Sequence, residues 1–288
     1  MEQQILDLIK KETDTFFIAP TENGKSIIML VFGYAPFYMQ NKEDTAQIDA
    51  YYLISNSSYH RAKELAKRLS ELGLRANYRF DFNYKKFVLD NGFVGVGKNT
   101  LTYIKGLGSR FVMQAIEVEG SFNYSKPDTV VNLNCANCNL CKNACPTGAI
   151  SDDGFDPNKC LRHHQESEVY VSDEIAKSMQ NRLLGCDICQ AVCPFNKAQK
   201  SVEMPQNLKA NLQYDVLFET LESEQKTREI FVPLIGKNYA KVKKILPQTI
   251  LVAGNSGNKN LVLKLKKFSK SDDNLVSENL KRALKNLV

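Results

Sequence analysis

The sequence predicts an α+β chain in three parts: an N-terminal α/β domain over 1–130, a cysteine-rich module over 131–200 and a short helical cap over 201–288. Three observations carry this division. A continuous apolar strand, a patterned helix and a second strand follow one another in the first third, the order of an α/β layer. All eight cysteines fall between Cys135 and Cys193. Beyond Asn196 the pattern is helical, broken sharply at Gly254-Asn-Ser-Gly257.

Residues 2–12 read as a short amphipathic helix with Ile5, Leu6, Leu8 and Ile9 on one side. Lys25 to Ala35 is an unbroken apolar run, the pattern of a strand covered on both faces. Pro36 stops it, and the segment to Ala46 is polar and irregular. Asp49 to Gly73 is mostly helical, with Ala62, Leu65, Ala66, Leu69 and Leu72 as its stripe, Ser57 or Ser58 as a cap and Gly73 as its end. Arg75 to Phe80 is the next strand. Asp81 follows directly, placed either to face a ligand from the strand end or to cap the helix expected over 84–91.

The stretch Asn91-Gly-Phe-Val-Gly-Val-Gly-Lys-Asn-Thr100 has glycines for a tight turn, but Asn99 after the lysine breaks the phosphate-loop pattern. Leu101–Ile104 and Arg110–Glu119 read as strands of a hairpin closed by 105–109. A polar linker over 120–129 leads to the cysteine module. Within that module a helix is expected over 173–182. In the cap, helices are expected over 207–222, 238–253, 258–270 and 272–287, stacked as about two HEAT-like hairpins.

The cysteine spacing carries the chemistry. Cys135, Cys138, Cys141 and Cys145, followed by Pro146, form the C-x2-C-x2-C-x3-C-P run of bacterial ferredoxins. Cys186, Cys189 and Cys193, followed by Pro194, repeat the last three positions, and Cys160 between the runs supplies a fourth thiol. Short spacings let several thiolates converge on one cubane. Because the last cysteine of a run ligates the other cluster, one 4Fe–4S cluster takes Cys135, Cys138, Cys141 and Cys193, and the other takes Cys145, Cys160, Cys186 and Cys189. The alternatives are zinc, which favours separate four-ligand sites of paired C-x2-C units, disulfides, or buried structural thiols. Disulfides suit a secreted chain, and the start Met1-Glu2-Gln3-Gln4 lacks the basic and apolar segments of a signal peptide. No apolar run reaches membrane-spanning length, so a reduced cytoplasm is the expected location.

Two adjacent 4Fe–4S clusters imply low-potential electron transfer, so an external low-potential donor is expected. The large α/β domain ahead of them implies an acceptor held by this chain. Among the three histidines, adjacent His163 and His164 diverge and make poor joint ligands, and a lone histidine such as His60 is more often structural. The net charge is +6. From Lys237 to Val288 there are twelve Lys or Arg and three Asp or Glu, a balance of +9, which leaves −3 for the rest. Such asymmetry fits either a nucleic-acid partner or solvated helix faces.

The order Ser58-Tyr59-His60, Arg79-Phe80-Asp81, Gly97-Lys98-Asn99-Thr100 and the two cysteine runs resembles the epoxyqueuosine reductase family, most closely at Gly185-Cys-Asp-Ile-Cys-Gln-Ala-Val-Cys-Pro-Phe-Asn196. Leu251 to Gly257 resembles that family's HEAT-like region. The resemblance implies a cobalamin-binding-type N-terminal domain related to reductive dehalogenases. It implies a monomeric enzyme that reduces the epoxide of epoxyqueuosine in tRNA, with electrons passing through two clusters to cobalamin. Asp81 matches the family's proton donor, a role that needs a pKa raised by burial. His60, Lys98 and Asn99 match positions near the cofactor. The basic cap would meet phosphates of the tRNA anticodon region. The chain departs from the family pattern after Asp81, where Phe-Asn-Tyr-Lys-Lys stands for Thr-Gly-Pro and a glutamate. A corrinoid reductase of another substrate, and a ferredoxin-like electron carrier without cobalamin, remain the alternatives.

Overall fold

The computed structural model describes residues 2–21, 23–120, 122, 128–131 and 133–288. It folds as two compact units that do not follow chain order. The first comprises residues 1–35, 54–139 and 190–200, and the second 36–53, 140–189 and 201–288. The linker expected over 120–129 lies mostly outside the described residues.

The first unit is built on a four-stranded sheet, ordered Thr15–Pro20, Lys25–Gly33, Phe111–Glu119, Ala76–Arg79. Its central strands pair antiparallel with Ile28 opposite Ile116. Side chains alternate across a strand. Ile28, Leu30 and Phe32 therefore face one core with Ile5, Ile9, Leu65 and Leu69, while Ile27, Met29 and Val31 face another with Phe87, Phe93 and Ile104. Phe17 stacks on Phe93 in the second core, ring centroids 4.6 Å apart. Two cores explain why the Lys25 strand is apolar without interruption.

All strand pairings in this sheet are antiparallel. Two local expectations are corrected. The helix Ala50–Glu71 starts before Ser57 and Ser58, and the Asp49 carboxylate accepts the Tyr51 amide at 2.9 Å. The two serines lie inside the helix and donate back to the carbonyls of Ile54 and Ser55. The expected 101–119 hairpin does not form as a ladder either. Thr102–Tyr103 pairs with Gly95–Val96, and Phe111–Glu119 takes the central sheet position its two buried faces require.

In the second unit a single large core joins Ile48, Tyr52, Leu161, Met179 and Leu183 to the C-terminal helices. Gln47–Ile48 runs parallel to Arg182–Leu184, a strand the sequence does not announce. The C-terminal helices run Gln206–Leu212, Tyr214–Leu221, Glu224–Ile235, Val242–Gly254, Val262–Lys266 and Asn274–Leu287. Glu224–Ile235 went unanticipated because Pro233 and a charged first half blur its stripe. Val242–Gly254 is almost wholly buried, and Asn279 caps the carbonyl of its Pro247 at 3.0 Å.

Gly254 lets that helix approach Asn274–Leu287. A Cβ there would stand 2.6 Å from both Cα and Cβ of Ala283. Gly254→Ala is therefore expected to destabilise the protein by about 1–3 kcal/mol through forced separation of the helices. A thermal melt followed by circular dichroism should show a lowered midpoint, and an unchanged one would mean the helices separate freely.

Candidate functional site

None of the eight cysteines forms a disulfide, and all are partly buried. Cys135, Cys138 and Cys193 belong to the first unit, and Cys141, Cys145, Cys160, Cys186 and Cys189 to the second. Tight turns present them: the Cys138 amide donates to the Cys135 carbonyl, and the Cys193 amide to that of Gln190. Short helices at Leu140–Ala144 and Ile188–Ala191 carry Cys141 and Cys189.

In the second unit the Cys145 sulfur accepts the Ala149 amide at 3.3 Å. Burial raises its pKa, but hydrogen bonds from Thr147, Ala149 and Ile150 outweigh it, and the thiol titrates below its ordinary value. Cys186 is more deeply set, and burial pushes its thiol up to about 11 against the Ile188 amide and the Arg182 charge. The Cys160 thiol adds to that rise, so the isolated cysteine lies within electrostatic range of the second run. Among the described residues no group of three His, Cys, Asp or Glu side chains is arranged around a metal ion. A four-iron cubane is larger than an ion, and its thiolates stand correspondingly farther apart. The donor set, soft thiols met by amide N–H groups, fits such a cluster.

In the first unit the end of the second cysteine run, at Cys193, is fixed by a buried polar clamp that no sequence motif revealed. Asn196 accepts the Ser109 amide at 2.8 Å and donates to the Gln190 carbonyl at 2.8 Å. Gln190 donates to the Ser109 carbonyl at 2.9 Å. Gly108, at φ +60°, permits this closeness, since a Cβ there would overlap the Asn196 oxygen at 2.0 Å. The signal was present as Gln190 and Asn196 flanking the run, but polar residues near cysteines read equally well as loop.

The Gly97–Thr100 turn serves the same cysteine. The Tyr103 hydroxyl donates to the Cys193 sulfur at 3.4 Å. Asn99, 4% exposed, donates to that hydroxyl at 3.0 Å, and its carbonyl oxygen accepts the Leu101 amide. Asn99 is thus hydrogen-bonded inside the fold as the holder of Tyr103. Lys98, on the same turn, reaches Asn139 at 2.8 Å. Around the Thr102–Ile104 segment three apolar side chains stand exposed: Val96 opposite Thr102, Val130 bridged to Ile104, and Phe195 with its ring 6.2 Å from that of Tyr103.

The Arg79 guanidinium donates to both Asp81 oxygens, at 2.9 and 3.4 Å. The carboxylate is 59% exposed, and the Arg79 hydrogen bond holds its pKa below the usual range. The burial expected to raise it is absent. Nor does Asp81 cap the next helix, since Asn83 accepts the Lys86 amide there. Lys85 of that helix donates to the Thr100 carbonyl at 2.7 Å, tying the segment after Asp81 to the Gly97–Thr100 turn. His60 is exposed and packs edge-on against Tyr59. His164 donates from Nε2 to the Asn158 carbonyl rather than sharing a site with His163.

Residues 134–196 match the family model of the 4Fe–4S double cluster binding domain, so the chain is an iron–sulfur protein whose double-cluster module is embedded in a larger mixed α/β fold. Among relatives, an epoxyqueuosine reductase of Cyclobacterium marinum is 30% identical over 191 residues, covering 62% of this chain and 61% of that one. One of Leadbetterella byssophila is 26% identical over 238 residues, covering 78% and 74%. The fold is similar to a crystal structure of epoxyqueuosine reductase with an epoxyqueuosine-modified tRNA-Tyr stem loop, at TM-score 0.69 and 17% identity over 99% of this chain and 98% of that one. The chain is thus similar to epoxyqueuosine reductases, and it spans about 61% of the length of the Cyclobacterium marinum relative.

Hydrogen bonds to cluster sulfurs stabilise the more negative, reduced state and so raise the potential. Tyr103→Phe deletes one such donor, a loss of about 1 kcal/mol, or about 40 mV for a one-electron couple. A redox titration followed by electron paramagnetic resonance is expected to show one of the two clusters lowered by that amount. Two unmoved potentials would remove the hydroxyl from the cluster's environment.

Proposed function

We propose that this chain is an epoxyqueuosine reductase, converting the epoxide of epoxyqueuosine in tRNA to queuosine with electrons passed through two 4Fe–4S clusters to cobalamin. The observation that carries the reading is the tie between the cysteine module and the α/β unit: Cys193 is held inside that unit by Tyr103, beside an exposed apolar patch. A free electron carrier has no use for such a unit.

One cluster is assigned to Cys135, Cys138, Cys141 and Cys193, and the other to Cys145, Cys160, Cys186 and Cys189. The proximity of Cys160 to Cys186 supports the second set. Bound clusters supply one-electron transfer from an external low-potential donor, and bound cobalamin supplies the low-potential centre for breaking the C–O bond. Val96, Val130 and Phe195 offer the apolar surface a corrin face needs, and Lys98 and His60 offer polar contacts at its rim. Asn99 contributes through Tyr103.

Asp81 is the proton donor for the oxygen released as the C–O bond breaks. At neutral pH in the free protein it is ionised beside Arg79, so its acid form requires that covering substrate desolvate it. The carboxylate is accessible and needs no rearrangement of the core to meet a ligand. The lysine-rich region from Lys237 onward, read as HEAT-like helical hairpins, meets phosphates of the tRNA anticodon region and fixes position rather than reading bases. The chain is assigned to the cytoplasm as a monomer. Among the described residues no helix is long and apolar enough to cross a membrane.

Anaerobic reconstitution with iron, sulfide and cobalamin is expected to yield about eight iron and one cobalt per chain. Retention of iron without cobalt would move the reading to an electron carrier. Asp81→Asn is expected to lower turnover of epoxyqueuosine tRNA at least ~100-fold, the scale of a lost general acid, with iron content unchanged; turnover at the parent rate would take Asp81 out of the mechanism. Cys160→Ala is expected to cost one cluster, seen as roughly half the iron and loss of one paramagnetic signal. Full iron occupancy in that variant would refute the ligand assignment.

A further inference from the structure

The second unit contains an open cavity of about 650 Å3 whose walls are strongly basic. Lys281, Arg282 and Lys285 line it from the Asn274–Leu287 helix, Lys177 from the Asp173–Met179 helix and Lys42 from the loop before Gln47. Against these five cations stand two acids, Asp173 and Glu278. Each acid is already paired, Glu278 with Lys281 at 2.7 Å and Asp173 with Arg282 at 2.7 Å. Lys42, Lys177 and Lys285 form no ion pair among the described residues. The cavity therefore presents a surplus of three positive charges to whatever enters it.

Arg282 is more than a surface charge. Only 8% exposed, it is locked by Asp173 on Nε, by the Val171 carbonyl on Nη2 at 2.6 Å, and by stacking 4.5 Å from the centre of the Tyr170 ring. Its remaining nitrogen, Nη1, is buried and has no hydrogen-bond partner among the described residues. An unpaired guanidinium nitrogen is costly to bury, and a phosphate oxygen is the acceptor that best satisfies it. Tyr170 itself is 53% exposed on the cavity wall. A flat aromatic beside several cations matches the way single-stranded nucleic acid is held, with bases stacked and phosphates neutralised. An acidic peptide would use the cations but leave the ring without a stacking partner.

We propose that this cavity binds one nucleotide of a single-stranded RNA loop, its phosphate on Arg282, Lys177 and Lys285 and its base on Tyr170. The inference rests on the reading of the chain as an enzyme acting on tRNA. It adds to that reading a discrete site that includes Lys42, Tyr170 and Lys177, outside the basic C-terminal run. The site acts in positioning the RNA, and no chemistry occurs there.

The test is fluorescence anisotropy of a labelled tRNA anticodon stem-loop on the full chain with reconstituted clusters, repeated at several salt concentrations. The double variant Lys177→Glu with Lys285→Glu changes two exposed side chains and is expected to fold with normal iron content. It should weaken binding at least tenfold and lower the slope of log K against log salt by about 0.7, the value for one phosphate of a single strand. Tyr170→Ala should weaken binding about tenfold with the slope unchanged. Lys177→Arg with Lys285→Arg should bind as the parent does. Lys10→Glu with Lys11→Glu, an equal charge change in the first unit, should leave affinity within about twofold. If the cavity variant binds and turns over like the parent, the site is wrong while the enzyme assignment stands. If the parent binds no stem-loop, both fall. Competition by polyglutamate as effective as by unlabelled RNA of equal charge would overturn the nucleic-acid assignment.

Discussion

The Ser109–Gln190–Asn196 clamp is the interaction on which the arrangement of this chain depends. It captures the segment 190–200 for the first unit, although the chain on both sides of it belongs to the second. Every member is buried, so each unmade bond would cost a full desolvation penalty, and the network is stable only when complete. That completeness gives Cys193 a fixed address near Tyr103. A ferredoxin spacing requires the last cysteine of each run to serve the other cluster. The proposed ligand sets follow that rule, and the end of the second run is anchored in the unit that carries Cys135 and Cys138. The clamp also sits next to the start of the Phe111–Glu119 strand, so the rigidity of the central sheet is transmitted to a cysteine.

The cysteine chemistry and the largest elements were legible because they rest on strong local signals. Spacing of thiols is a direct statement about ligand convergence, and the Lys25 run and the Leu65–Leu69 stripe report burial through period alone. The sheet's connectivity was not legible. Strand–helix–strand order is shared by parallel and antiparallel layers, and only the pairing of Phe111–Glu119 on both sides decides between them. Arg182–Leu184 escaped notice because three residues are too few to show alternation. The role of Asn99 inside the fold was not legible for a different reason: nothing in the sequence shows that Tyr103, four residues later, turns back to meet it.

The charge distribution gains a more definite meaning from the fold. Many lysines of the C-terminal region are neutralised locally: Lys244 and Lys243 by Glu168, Lys264 by Asp215, and Lys267 by Glu222. These exposed pairs contribute little to stability, but they cancel charge that would otherwise act at a distance. Among the described residues Lys237, Lys241, Lys259, Lys266, Lys270 and Lys285 form no ion pair, and of these Lys285 lines the cavity at Arg282. A count of lysines from Lys237 onward therefore overstates the free charge of that region, and it misses Lys42 and Lys177, which line the cavity from outside it.

Asp81 poses the sharpest physical question. The role proposed for Asp81, proton donor, needs a raised pKa, yet Arg79 holds this one down. The resolution lies in the other partner of Arg79. Its Nη1 donates to Glu117 at 2.6 Å, and Glu117 in turn takes Lys25 at 2.8 Å. Releasing Asp81 thus leaves Arg79 paired rather than bare. An exposed ion pair is weak because water competes for both charges, so little opposes the release. Once a bulky substrate displaces that water, the same carboxylate loses its solvation and its neutral form becomes favoured. The Arg79–Glu117 pair is then what makes the aspartate switchable: it parks the cation at the edge of the sheet whichever state Asp81 adopts.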